Sequence, residues 1–144
     1  MSRPNFVVPN EGEREILTIL LGTQPVENLT LKLFSNDYKP TEADTSASFT
    51  EVVTTGYAAK TLTRGAGWTV ATSGGGVTTA TYASQVFTFS DYGDAYGFYL
   101  LGATSGKVYV AQNFEVTDDI VPVPVPYRLT PSGSLTVPPV IPLE

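Results

Sequence analysis

The stretch NLTLKLF, residues 28–34, carries the most regular strand pattern in the chain. Leu29, Leu31 and Leu33 fall on one face of an extended backbone, and the residues between and after them fall on the other face. Alternation with a period of two predicts a half-buried β-strand. We therefore expect one strand of the fold over residues 28–34.

Segments of the same kind recur along the chain at a spacing of about 10 residues. They are rich in β-branched and aromatic residues, and glycine-rich loops separate them. The further predicted strands are EILTILL (15–21), YAAKTLTR (57–64), WTVA (68–71), VTTATY (77–82), QVFTFS (85–90), YGFYLLG (96–102) and KVYVAQ (107–112). About eight to ten short strands without a long helix predict an all-β fold, an antiparallel β-sandwich or jelly-roll-like barrel.

Two local signals complete the predicted fold. Thr41 followed by Asp44 resembles a capping box, which predicts one short helical turn around residues 42–47 that leans on Tyr38 and Phe49. The stretch RLTPSGSLTV (128–137) predicts a hairpin, because Pro131 and Gly133 take the favoured positions i+1 and i+3 of a type I turn that begins at Thr130. We divide the chain into an N-terminal arm (1–12), a β-sandwich domain (13–117) and a proline-rich terminal strand, hairpin and tail (118–144).

The stretch DIVPVPVPY, residues 119–127, places a proline at every second position. In an extended strand Pro122, Pro124 and Pro126 all remove backbone N–H donors from one edge, while Val123 and Val125 keep theirs on the other. Such a segment can pair along one edge only, and its other edge cannot template a further strand. We interpret it as a bordering segment that docks onto a partner.

The charge balance limits the classes of partner. The 144 residues include eight Lys and Arg, all scattered, and the net charge is −6. Nucleic-acid binding through phosphates needs clustered basic residues, so we expect no nucleic-acid partner. The apolar run ILTILLG (16–22) is too short to span a bilayer, and the first residues lack a secretory signal, so we expect no membrane partner and synthesis in a cytoplasm.

Few residues are available for catalysis or metal binding. The chain has no histidine and no cysteine, which excludes a Ser-His-Asp triad, a thiol nucleophile and the common zinc and copper ligands. Carboxylate pairs remain for a glycosidase, and Asp91 with Asp94 also suit calcium. The candidates are Asp91 with Asp94, Asp118 with Asp119, and the group Glu11, Glu13 and Glu15. We interpret them as turn and strand-end residues, and expect no enzyme and no cofactor.

Aromatic side chains favour a second class of function. Tyr92, Tyr96, Tyr99 and Trp68 lie near glycine-rich loops and are candidates for a sugar-stacking platform. Alternating aromatics more often fill a sandwich core, and we favour the core for Trp68.

The stretch LTLKLFSNDYKPTEADTSASFTEVVTTGYAAKTL (29–62) resembles segments of small virion proteins of tailed bacteriophages. In these segments a turn of the form SNDY-PT-xD precedes SFTE and GYA-K-L. QVFTFS and YGFYLL show a weaker likeness. The resemblance implies a capsid decoration (cement) protein on the major capsid protein, forming a β-rich oligomer.

These observations together predict a structural protein that docks onto another polypeptide. Both termini carry apolar, proline-bearing segments, and the strand faces hold threonine and tyrosine in place of charge. We expect a homotrimer on the capsid surface of a virion. The alternative is a tail or baseplate carbohydrate-binding module that adheres to the host surface. The predicted partner-binding residues are Phe6, Val7, Val8, Pro122, Val123, Pro124, Val125 and Pro126.

Overall fold

The computed structural model describes residues 6–117 and 120–143, which form one α-helix, one 3-10 helix and fourteen strands. The helices are α1 (Asn10–Leu20) and a 3-10 turn (Ser46–Ser48). The strands are β1 (Phe6–Val7), β2 (Leu29–Phe34), β3 (Lys60–Leu62), β4 (Trp68–Thr72), β5 (Thr78–Tyr82), β6 (Gln85–Thr88), β7 (Gly93–Ala95), β8 (Gly97–Gly102), β9 (Val108–Asn113), β10 (Glu115–Val116), β11 (Pro124–Val125), β12 (Tyr127–Leu129), β13 (Ser134–Val137) and β14 (Val140–Leu143).

The largest sheet has five antiparallel strands in the order β1-β9-β8-β2-β3. Leu31 on β2 lies opposite Leu100 on β8, and both side chains are fully buried. The predicted strand at residues 28–34 is confirmed as β2, which lies between β8 and β3 in this sheet. Smaller antiparallel sheets accompany this sheet, and the all-β, sandwich-like prediction is also confirmed.

The main hydrophobic core lies between the large sheet and the pairs β6–β13 and β7–β12. Leu33, Phe98 and Leu100 face it from the large sheet, and Phe87 and Leu129 face it from the small pairs. Burial of such side chains is the main favourable term in folding, at roughly 1.5–3 kcal/mol each.

A second apolar cluster covers the opposite face of the large sheet. Phe49 stacks on Tyr99 with ring centroids 4.8 Å apart, and Phe34 lies 5.0 Å from Phe49. The predicted short turn holds this cluster in place: Asp44 accepts hydrogen bonds from the Thr41 backbone N–H and hydroxyl and from the Tyr38 hydroxyl. The observed 3-10 turn falls at Ser46–Ser48, at the end of the predicted range.

The predicted strand at residues 15–21 is wrong, because residues 15–20 belong to the helix α1 and Leu21 is its C-cap residue. Pro9 precedes the helix in an extended conformation, and Gly22 follows it at φ +79°, the left-handed conformation that commonly ends a helix. Ile16 and Ile19, three residues apart, pack against the main core. Among the described residues, no helix has both the length and the apolar composition needed to cross a bilayer.

The C-terminal strands pair with the body of the fold. The predicted turn is present, since the Gly133 N–H donates to the Thr130 carbonyl over 2.9 Å. Its type differs, because Ser132 has φ +62° and position i+2 of a type I turn requires a negative φ, whereas type II requires a positive one. The flanking strands do not form a hairpin either: β12 pairs with β7, and β13 pairs with β6. The turn is therefore a corner between two sheets.

Candidate partner-binding surface

The proline-rich segment pairs with β10 along a single edge. Val125 lies opposite Glu115, and the Thr117 N–H donates to the Val123 carbonyl over 2.9 Å. In an antiparallel ladder this places the backbone groups of Val123 and Val125 toward β10. Pro122, Pro124 and Pro126 then face the other edge, as the alternation predicted.

The same segment exposes a row of apolar side chains. Ile120 is 87% exposed, Val121 is 70% exposed and Val123 is 49% exposed. The predicted pair Asp118 and Asp119, which directly precedes Ile120, lies outside the described residues. Neighbouring apolar side chains in water are unfavourable unless a partner covers them.

The predicted N-terminal residues are partly used by the fold itself. Phe6 lies opposite Gln112 and Val7 opposite Ala111, so β1 is an edge strand of the large sheet. Phe6 and Val8 are half-buried and pack against the main core. Residues 1–5 of the predicted arm lie outside the described residues. No strand pairing among the described residues joins β1 to the segment around Pro124.

A cleft of about 320 Å³ lies between α1 and the three-stranded sheet β14-β5-β4. Ile16 and Ile19 form one wall, and Val70, Ala80 and Ile141 form the other. Sequence reasoning missed this cleft because it interpreted α1 as a strand. The spacing of Ile16 and Ile19 after Pro9 was the available signal.

Glu27 and Arg64 supply polar groups at the cleft. Glu27 accepts hydrogen bonds from the Thr104 and Ser105 backbone N–H groups, the Ser105 hydroxyl and the Tyr109 hydroxyl, each between 2.7 and 2.8 Å. Burial opposes ionisation of Glu27, but these hydrogen bonds outweigh it and hold the pKa of the carboxyl below its ordinary value. Burial and the hydrogen bond to Glu27 raise the pKa of Tyr109.

The chain matches no protein-family model, no curated protein and no solved structure.

Three of the carboxylates considered for catalysis, Asp91, Asp94 and Glu11, have local structural partners. Asp91 accepts a hydrogen bond from the Tyr92 N–H over 2.8 Å, and Asp94 pairs with Arg128 over 3.1 Å. Glu11 accepts a hydrogen bond from the Val108 N–H over 2.8 Å, which attaches α1 to β9. Within residues 6–117 and 120–143, no group of three or more acidic side chains is placed to hold a metal ion.

The aromatic residues considered for sugar stacking are separated by the fold. Tyr99 is buried in the second cluster, where burial and the charge of Glu51 raise its pKa to about 12. Trp68 is half-buried at the cleft, with its ring edge against Tyr82 at 5.1 Å. Tyr92 is exposed on a loop. Because Tyr99 is enclosed, the four rings do not form one exposed platform.

Proposed function

We propose that this chain is a structural protein that docks onto another polypeptide and performs no reaction. The observation that carries the proposal is the exposed apolar row Ile120, Val121 and Val123 beside a proline-blocked edge. The prolines keep the segment extended before docking, which lowers the entropy lost on binding. Blocked donors also prevent the segment from pairing indiscriminately with other strands.

We further propose that the partner is the major capsid protein of a tailed bacteriophage, and that the chain acts as a decoration (cement) protein on the virion surface. The resemblance of residues 29–62 to phage virion proteins supports this assignment. In the structure those residues run from β2 to β3 and include the aromatic cluster around Phe49. They build the scaffold, while the docking row comes from the C-terminal third.

Docking of this kind stabilises a shell by mass action. A protein that binds only assembled capsid subunits raises the free energy needed to disassemble them. Each buried apolar side chain contributes through the area removed from water, at roughly 25 cal/mol per Å². Many copies on one shell act together, so no single contact has to be strong.

The experiment replaces the apolar row and leaves the fold intact. We expect Ile120→Asn/Val121→Asn/Val123→Asn to keep the urea unfolding midpoint of the parent. It should lose about tenfold or more in affinity for shells assembled from the major capsid protein of the same genome, measured by co-sedimentation. Val53→Asn is the matched control, because Val53 is 91% exposed on another part of the surface.

Two results would refute the proposal. One is a parent protein that does not co-sediment with the shells, and the other is a triple variant that binds them as the parent does. A glycan array probed with the parent protein distinguishes the tail or baseplate adhesion module, which would bind a saccharide through the exposed tyrosines.

A further inference from the structure

The three-stranded sheet β14-β5-β4 has two edges of opposite character. In the ladder between β14 and β5, the Tyr82 N–H donates to the Pro139 carbonyl over 3.1 Å. Positions with and without hydrogen bonds to β5 alternate along β14. The backbone polar groups of Val140 and Pro142 therefore point away from β5, toward solvent. Pro142 has no N–H, and neither has Pro138 two residues before Val140. The β14 edge is thus largely closed to further strands.

The β4 edge is open. The Ser73 N–H donates to the Val77 carbonyl over 2.8 Å at the hairpin end, which sets the alternation of the ladder between β4 and β5. Val70 and Thr72 therefore turn their N–H and C=O groups away from β5. The hydroxyl oxygens of Thr72 and Thr78 are 2.8 Å apart. Opposite side chains lie closest in pairs that share no backbone hydrogen bond, so this distance agrees with an outward-facing backbone at Thr72.

The usual protections of an edge strand are missing from β4. It contains no proline and no lysine, and no charged residue occurs anywhere in residues 65–90. Its residues after Trp68 are exposed, and Val70 is 70% exposed on the face that lines the cleft. An uncharged, extended and regular edge is suited to pairing with another strand.

We propose that β4 pairs with β4 of a second copy of this chain, antiparallel about a two-fold axis at Val70. Two Val70 residues at the axis exchange both of their backbone hydrogen bonds, because each turns its N–H and C=O outward. The Thr72 N–H then faces the Trp68 carbonyl of the other copy. The Trp68 N–H already donates to Gly65 within the chain, so the pairing joins the copies through four hydrogen bonds.

The charge distribution favours a second copy as the occupant. Each chain carries a net charge of −6, so two copies repel wherever acidic surfaces meet. The hairpin formed by β4 and β5 carries no formal charge, which makes it a surface where copies can approach without like-charge contact. The pairing joins the two three-stranded sheets into one sheet of six strands. It also places the two Val70 side chains next to each other, so that each covers the other.

Sedimentation velocity over a range of protein concentrations tests the pairing. We expect the parent to form a dimer, and Val70→Lys to raise the dissociation constant by at least about tenfold because two ammonium groups meet at the axis. Val70→Pro should act similarly, since it removes a donor that β5 does not use. Val53→Lys is the control and should leave the dimer unchanged. These variants keep the row at Ile120, so shell binding reports separately on the proposed function.

Hydrogen exchange provides the second measurement. The Val70 and Thr72 amides should become protected as the protein concentration rises, whereas the Ala71 amide, which faces β5, should be protected throughout. The proposal would be overturned if the protein stayed monomeric at all concentrations. It would also be overturned if the protein formed an assembly, such as the predicted trimer, that Val70→Lys did not weaken. If the Val70 and Thr72 amides were protected from exchange only when capsid shells were added, the proposal would also be overturned. The β4 edge would then pair with another polypeptide.

Discussion

Tyr109 donates its hydroxyl hydrogen to a Glu27 carboxylate oxygen over 2.7 Å, and a bulge in β9 makes this contact possible. Leu100 lies opposite Val110 and Leu101 lies opposite Val108, so Tyr109 is the extra residue between them. A bulge of this kind re-aims the side chain of the extra residue. Glu27 thereby connects β9, the loop at residues 104–105 and one end of the cleft.

Glu27→Gln should destabilise the protein at neutral pH by about 1–3 kcal/mol, because a neutral amide replaces a carboxylate that accepts charge-assisted hydrogen bonds. The folded-state pKa of Glu27 lies below its ordinary value of 4.5. The stabilisation is therefore fully present above about pH 4.5 and is lost as the pH falls through the folded-state pKa. Urea midpoints of parent and variant should differ near pH 7 and converge at acidic pH. Glu13→Gln, at an exposed position of α1, removes the same charge and is the control; near pH 7 its urea midpoint should differ much less from that of the parent.

Gly12→Ala should detach α1 from the large sheet. A Cβ at this position would lie 2.5 Å from the Val108 carbonyl oxygen and 2.8 Å from the Tyr109 Cα, both backbone atoms that cannot move alone. We expect a loss of about 1–3 kcal/mol in the free energy of unfolding, as for other overpacked contacts. Urea denaturation measures it, with Gly74→Ala as the control because no atom lies within 4 Å of a Cβ there. Equal midpoints for both variants would show that the helix does not need this close approach.

The strand β2 could be predicted from the sequence because one signal decides it, whereas its place inside the five-stranded sheet was not predicted. Leu31 and Leu33 alternate with polar neighbours, and the observed strand runs from Leu29 to Phe34. For Phe34 the alternation predicted only that its side chain lies on the face opposite the leucines, and it did not predict burial. It is buried because the segment containing Phe49 folds over that face. Whether a second layer covers a strand depends on distant residues, and local alternation does not encode them.

The helix α1 and the two-sheet corner at Ser132 could not be predicted in the same way. Residues 15–21 contain two isoleucines and three leucines, a composition that suits a buried strand as well as a helix over so short a run. At the corner, a turn signal identifies a change of direction and does not identify the strands that pair afterwards. The proline alternation at residues 122–126 was more informative, because the missing donors fix which edge can pair.

Phe49→Ala should cost about 3–5 kcal/mol, because Phe49 stacks on Tyr99 and its removal leaves a cavity between the sheet and its covering segment. A second readout is the pKa of Tyr99, which burial and Glu51 raise to about 12. Water entering the cavity should lower this pKa toward the ordinary tyrosine value, as followed by NMR of the ring carbons during an alkaline titration. Val53→Ala serves as the control, since Val53 is exposed. An unchanged unfolding midpoint would contradict the role assigned to the second cluster.

Restoring backbone donors to the proline-rich segment should make the protein aggregate. In Pro122→Thr/Pro124→Thr/Pro126→Thr the outer edge of β11 regains up to three N–H groups, next to the exposed apolar side chains of Ile120 and Val121. An edge with free donors and apolar neighbours templates further strands, so light scattering should rise with time and concentration. Pro131→Thr, at the corner turn outside this edge, is the matched control and should stay dispersed. A triple variant that stays as dispersed as the parent would mean that the prolines do not protect this edge.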